Sequence, residues 1–207
     1  MTQHETAPHT ALQRLRYQAE LLAALHRFDV EILTSRGAQE IGGVALEHLE
    51  RLVPSERSVV KAINPASESR YFLATRGEDP TGGASGSVDV AAAFPAQFDA
   101  IRAGVPVVVD LAGVAGVPVA DAHLAAGFRT MLMAPLVSGS LSPIGFIGLA
   151  RRSEAGFNAS EIEAARLIAG RTTVALHAET LREDGRWLSS SATASGPPWS
   201  TRPPRRC

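Results

Sequence analysis

The hydrophobic rhythm of these 207 residues predicts an α+β domain, with an antiparallel sheet of five to six strands flanked by helices. The first and last helices are expected to pack together. Three observations predict this. Two segments of helical period open the chain, short β-branched runs bounded by Gly, Pro and Ser fill its middle, and one long amphipathic segment closes it.

Residues 1–10 are polar and are expected to be disordered, and the folded domain is placed at 11–184. From Thr10 to Leu33 the apolar residues Leu21, Leu25, Phe28 and Ile32 fall at steps of four, three and four. Leu12, Leu15, Ala19 and Leu22 form a neighbouring stripe at coiled-coil-like spacing. Ser35-Arg36-Gly37 breaks this helix. A second follows to Leu52, with Ile41, Ala45, His48 and Leu52 on one face and Pro54 closing it.

Arg57 to Ile63 and Tyr71 to Thr75 are expected as strands around the turn Asn64 to Glu68. Gly77 to Gly86 is rich in glycine and small polar residues and reads as a flexible loop. Phe94 to Arg102 suits a short helix ended by Gly104, Pro106 to Asp110 a strand, and Asp121 to Ala126 a helical turn closed by Gly127. Thr130 to Val137 and Ile144 to Ala150 form a predicted hairpin through Ser138 to Pro143. Ser160 and Glu163, three apart, are expected to cap a last helix that runs to Asp184, with Ile162, Ala165, Ala169 and Leu176 on one face. Gly185 to Cys207 is Ser-, Pro- and Arg-rich with no acidic residue, and is expected to be a disordered tail. The abrupt change of composition there also permits a truncated or frame-shifted end of a longer chain.

Composition excludes several functions. A net charge of −1 gives no electrostatic footprint for nucleic acid or an anionic membrane. Nineteen of the twenty basic residues are Arg, Lys61 being the exception, which reflects codon bias more simply than Arg chemistry. A single cysteine, Cys207, rules out an internal disulfide and a Cys-based zinc site. No apolar run is long enough to span a bilayer and the N-terminus has no signal-peptide pattern, so a cytoplasmic location is expected.

Four segments together resemble the GAF domain family of bacterial signalling sensors. They are Val44 to Pro54 with Arg57 to Val60, Gly104 to Asp110, Gly127 to Leu136 with Ile144 to Leu149, and Phe157 to Glu161 through Val174 to Leu181. The resemblance covers roughly residues 20–183. It implies a ligand pocket on one side of the sheet and terminal helices that form a dimer bundle on the other. It also implies a module that binds an unidentified small molecule and signals to a downstream protein, in a two-component or second-messenger pathway. No kinase nucleotide motif, GGDEF-type motif or helix-turn-helix is found in the sequence.

Placed by that resemblance, the pocket would be lined by Phe94, Phe98, Ile101, Phe128, Met131, Met133 and Phe146, with Asp110, His123, Arg129 and Thr130 as its polar groups. Alternation puts either Thr130 with Leu132 or Met131 with Met133 on the pocket face, and both remain open. Leu22, Leu25 and Leu176 are the expected dimer residues. Family members that reduce methionine sulfoxide use cysteines near the pocket, and bilin-binding members attach the pigment through one, so neither chemistry is expected here. The cyclic-nucleotide pattern is also broken, because Arg151-Arg152 stands where Asn-Lys is found; one of these Arg residues is expected to pair with Glu161 and pin the last helix to the sheet. Some members ligate haem through a His near the position of His123, which leaves a haem gas sensor as one alternative and a ligand-free dimerisation scaffold as another. No cofactor is assigned, and no set of residues suggests a metal site or catalysis.

Overall fold

The computed structural model describes residues 6–63, 70–80, 94–137 and 144–194. The expected turn at 64–68, most of the glycine-rich loop, the hairpin turn at 138–143, residues 1–5 and the end of the tail from 195 lie outside the described residues. The strands are β1 (Arg57–Ile63), β2 (Arg70–Gly77), β3 (Val107–Asp110), β4 (Thr130–Leu136) and β5 (Gly145–Arg151). The helices are α1 (Thr6–Thr34), α2 (Ala38–Leu52), α3 (Pro95–Arg102), α4 (Pro118–Ala125) and α5 (Ala159–Ala194). All neighbouring strands are antiparallel, in the order β2-β1-β5-β4-β3.

The sheet separates two apolar layers. On one face α1, α2 and α5 bury Leu25, Phe28, Ile41, Leu46, Leu49, Ile168 and Leu176 against Val60, Leu132, Ile147 and Leu149. On the other, α3 and α4 cover Val109, Met131, Met133 and Ala150 with Phe94, Ile101, Ala120 and Phe128. Strand alternation therefore settles the question left open for β4: Met131 and Met133 face the short helices and Leu132 faces the long ones.

Polar pairs join the long helices. Asp29 of α1 receives a hydrogen bond from Arg171 of α5 at 2.8 Å, and Glu31 bonds the buried His48 of α2 at 2.9 Å. Buried Glu179 of α5 accepts from the Gly37 amide at 3.3 Å and pairs with Arg182 at 2.7 Å.

Two expectations are corrected at α5. Its cap is Asn158 with Glu161, two residues before the predicted Ser160 and Glu163. The Asn158 amide donates to Glu161 Oε2 at 2.9 Å, and the Glu161 amide donates to Asn158 Oδ1 at 3.0 Å. Glu163 instead pairs with Arg166, one turn on. The helix also continues to Ala194, into the segment expected to be a disordered tail. Extending an established helix costs little per residue, and the next proline is Pro197. At the other end α1 already begins at Thr6, within the stretch expected to be disordered.

Candidate functional site

The described residues line a small half-open cavity of about 40 Å³ between the sheet and α4. Three strands build its floor in register. Arg57 lies opposite Ala150, Val59 opposite Gly148 and Lys61 opposite Phe146, while Ala150 and Gly148 oppose Met131 and Met133. Phe94, Val119 and His123 close it from above. Gly148 keeps the floor low, because a Cβ there would stand 3.0 Å from Val59 and 3.4 Å from Phe146.

Arg57 is the most constrained polar group of this site, with 4% of its surface exposed. Its Nη1 donates at 2.7 Å both to the Glu78 carbonyl and to Asp79 Oδ1. Gly77, directly opposite Arg57, makes this possible. It takes a φ of 80°, and a Cβ on it would meet the Glu56 carbonyl oxygen at 2.1 Å. Arg57 Nε is nevertheless buried without a hydrogen-bond partner among the described residues. An unsatisfied buried donor costs about 1–3 kcal/mol, more when charged. Lys61, on the same strand face, holds its ammonium 6.0 Å from the centroid of the Phe146 ring.

His123 is also 4% exposed. Its Nδ1 lies 2.7 Å from the Val119 carbonyl one turn back; that oxygen only accepts, so Nδ1 carries the proton and Nε2 the lone pair. Burial pushes the imidazole below its ordinary pKa; the Arg57 and Lys61 charges add to this, while the Val119 carbonyl and Asp79 oppose it.

Five residues expected at the pocket line the cavity: Phe94, His123, Met131, Met133 and Phe146. The other six do not. Ile101 and Phe128 are buried in the apolar layer beside it, and Phe98 is half-buried on α3. Asp110 is exposed and accepts from the Ala112 amide at 3.1 Å, as a turn residue does. Arg129 donates to the carbonyls of Leu124 and Phe128, and Thr130 to that of Ser153. Arg57, Val59 and Lys61 of β1 take the places that sequence reasoning had given to these groups. The signal for them was present: positions 57, 59 and 61 share one strand face, so the two cations of this largely apolar strand lie on the same side of the sheet.

The expected dimer residues divide in the same way. Leu22 is 67% exposed, but Leu25 and Leu176 are 3% and 6% exposed and belong to the monomer core. Leu25 lies on the Leu21–Phe28 stripe that packs inward, so it is corrected to a core position. The exposed apolar residues of α1 and α5 include Leu22, Val30, Leu33, Val174 and Leu181.

Arg151 carries out the pinning expected of it. It reaches Glu161 at 2.6 Å, the carbonyls of Pro54 and Gly156 at 2.7 Å, and stacks 4.2 Å from the Phe157 ring centroid. The cofactor suggested by the resemblance is not accommodated as the side chains stand, because Phe94, Met131, Met133 and Phe146 crowd the space beside His123. Among the described residues no His, Cys, Asp and Glu side chains cluster as a metal site, and no helix is long and apolar enough to cross a membrane.

This architecture, with terminal helices on one face of an antiparallel sheet and a small cavity under short helices on the other, defines a class of sensory domains of signalling proteins. The chain belongs to the GAF domain family, whose profile matches residues 35–177. No curated protein matches it. Among solved structures it is similar to a GAF domain/HD domain protein from Geobacter sulfurreducens, at 14% identity and a TM-score of 0.58 over 72% of this chain and 97% of that one. It is also similar to residues 122 to 287 of a methyl-accepting chemotaxis protein, at 18% identity and a TM-score of 0.59 over 77% and 99%. A phycocyanobilin-bound GAF domain from a cyanobacterial phytochrome matches at 16% identity and 0.59 over 78% and 96%. At these identities the likeness shows the fold alone.

Proposed function

We propose that this chain is a non-catalytic, cytoplasmic sensory module of a bacterial two-component or second-messenger pathway. It binds a small molecule in the cavity between β1, β4, β5 and α4, and passes occupancy to a downstream protein through a homodimer of its terminal helices. The observation that carries the reading is the pairing of an apolar cavity holding buried Arg57 and His123 with long helices on the opposite sheet face. Exposed Leu22, Leu33, Val174 and Leu181 on those helices supply apolar surface for a dimer. The phycocyanobilin-bound neighbour supports ligand binding by the fold, though by a much larger ligand.

A second reading, a ligand-free dimerisation scaffold, is favoured by the small volume left between Phe94, Met131 and Met133. A native mass spectrum of the protein as isolated tests both. Extra mass on a dimer is the expected result, a bare dimer favours the scaffold, and a bare monomer overturns signalling through a helical dimer.

A further inference from the structure

We propose that α4 is a proton-operated gate over the cavity: it lies closed while His123 is neutral, and swings away from the sheet on its flanking glycines when that imidazole takes up a proton. The gate governs access to the cavity of the sensory reading, yet its movement is measured without a ligand, so the two can fail separately.

This helix is held lightly. Its buried side chains are Ala120 and His123, one methyl group and one imidazole, with Val119 and Leu124 only partly buried beside them. The hydrogen bonds described for α4 run within residues 116–129. The Gly116 amide donates to Asp121 Oδ1 at 2.9 Å, Arg129 Nη1 to the Leu124 carbonyl at 3.4 Å, and the Phe128 amide to the His123 carbonyl at 2.9 Å. Gly116 and Gly127, at φ values of 93° and 87°, flank the helix and serve as hinges. An element seated by little apolar surface and by local hydrogen bonds opens at a fraction of the global unfolding free energy.

Charge supplies the trigger. From β1 His123 faces Arg57 and Lys61, and Asp79 beyond β2 is paired with Arg57. Its ring lies 5.7 Å from that of Phe128, which carries the Arg152 guanidinium 5.1 Å from its centroid. The residues that β4, β5 and the start of α3 bring to the cavity beside it, Met131, Met133, Phe146, Ala150 and Phe94, are uncharged. Asp121, the acid of α4 itself, is exposed and committed to Gly116. A proton on the closed imidazole would therefore stand with Arg57 and Lys61 out of reach of bulk water. Closed, His123 binds protons less readily than at its ordinary value of 6.5; turned out into water, it regains that value. Opening therefore takes up a proton and is favoured as pH falls below 6.5.

Amide hydrogen exchange of the full-length protein between pH 7 and pH 5, corrected for the intrinsic pH dependence of exchange, tests the gate. The His123 ring is titrated by NMR in the same samples. The expected result is that α4 amides open about fivefold or more often at pH 5 than at pH 7, while those of β1 and β4 keep their protection. The change should follow the His123 titration, and the Met131 and Met133 methyl signals should move on the same curve. In His123→Gln the opening of α4 should vary less than about twofold over this range. Because the wild-type curves need no variant, a misfolded His123→Gln leaves the test intact. Protection of α4 that stays level across the range overturns the gate, as does a loss shared equally by β1 and β4, or one that persists in His123→Gln. Each of these outcomes leaves the sensory reading to its own test, the native mass spectrum.

Discussion

His123 shows how much a single side chain in this protein depends on what surrounds it. Its pKa is lowered in the fold, first by burial, so the unfolded chain binds a proton that the folded chain refuses. The stability this contributes is complete above the ordinary value of 6.5 and is lost as pH falls through the folded value. Urea unfolding should therefore show a smaller loss between pH 7 and pH 5 for His123→Gln than for the wild type. Glu161 behaves differently. Burial alone would raise its carboxyl, but hydrogen bonds from Arg151 and the Asn158 amide together hold it below the usual carboxylate range. Its contribution is present at neutral pH and is lost as acid protonates it. Glu161→Gln should lower stability by about 1–2 kcal/mol at pH 7, with the gap from wild type closing towards pH 3 in the same unfolding assay. His123 was found from sequence because its position in the resemblance pointed at it. Arg57 was not, because its role depends on a partner, Asp79, more than twenty residues away beyond a strand and a turn.

Among the elements, β1 was legible from its Val59-Val60 run, and the hairpin of β4 and β5 from two short apolar runs separated by a Ser-, Gly- and Pro-containing segment. The two faces of α1 were also legible, since the Leu21–Ile32 stripe packs and the Leu12–Leu22 stripe is exposed where described. Naming Leu25 and Leu176 as dimer residues was the error, because both lie on stripes that pack inward, beside exposed Leu22 and Val174. The start of α5 was misplaced for a similar reason. Asn158 and Ser160 both lie three residues before a glutamate, and only the reach of Arg151 to Glu161 selects the first pair. Gly77 ends β2 by turning the chain towards Arg57. Gly77→Ala should cost about 2 kcal/mol or more, from left-handed backbone and a steric clash. It should also disturb the amide resonances of Glu78 and Asp79, which two-dimensional NMR reads directly.

In the whole molecule, the proposed function gives one sheet face to sensing and the other to assembly, and substitutions should separate them. Leu22→Asp with Val174→Asp should weaken self-association in sedimentation at little cost to monomer stability, since such surface changes alter it by about 0.5 kcal/mol or less. Leu25→Asp should lower the unfolding free energy by about 3 kcal/mol or more, because it buries a charge in the core. Unchanged association of the double variant would remove the terminal helices from the assembly. The tie between Arg151 and Glu161 has one more effect. It joins the end of β5, whose Gly148 and Phe146 floor the cavity, to the first turn of α5. A helix of 36 residues is a rod about 54 Å long. It is gripped from its cap as far as Glu179, through Ile168, Leu176, the Arg171–Asp29 pair and the Glu179–Gly37 bond. On the proposed reading it would therefore travel as one rigid piece with α1 and α2, and a shift of β5 at the cavity would be carried whole to the far end of the helix.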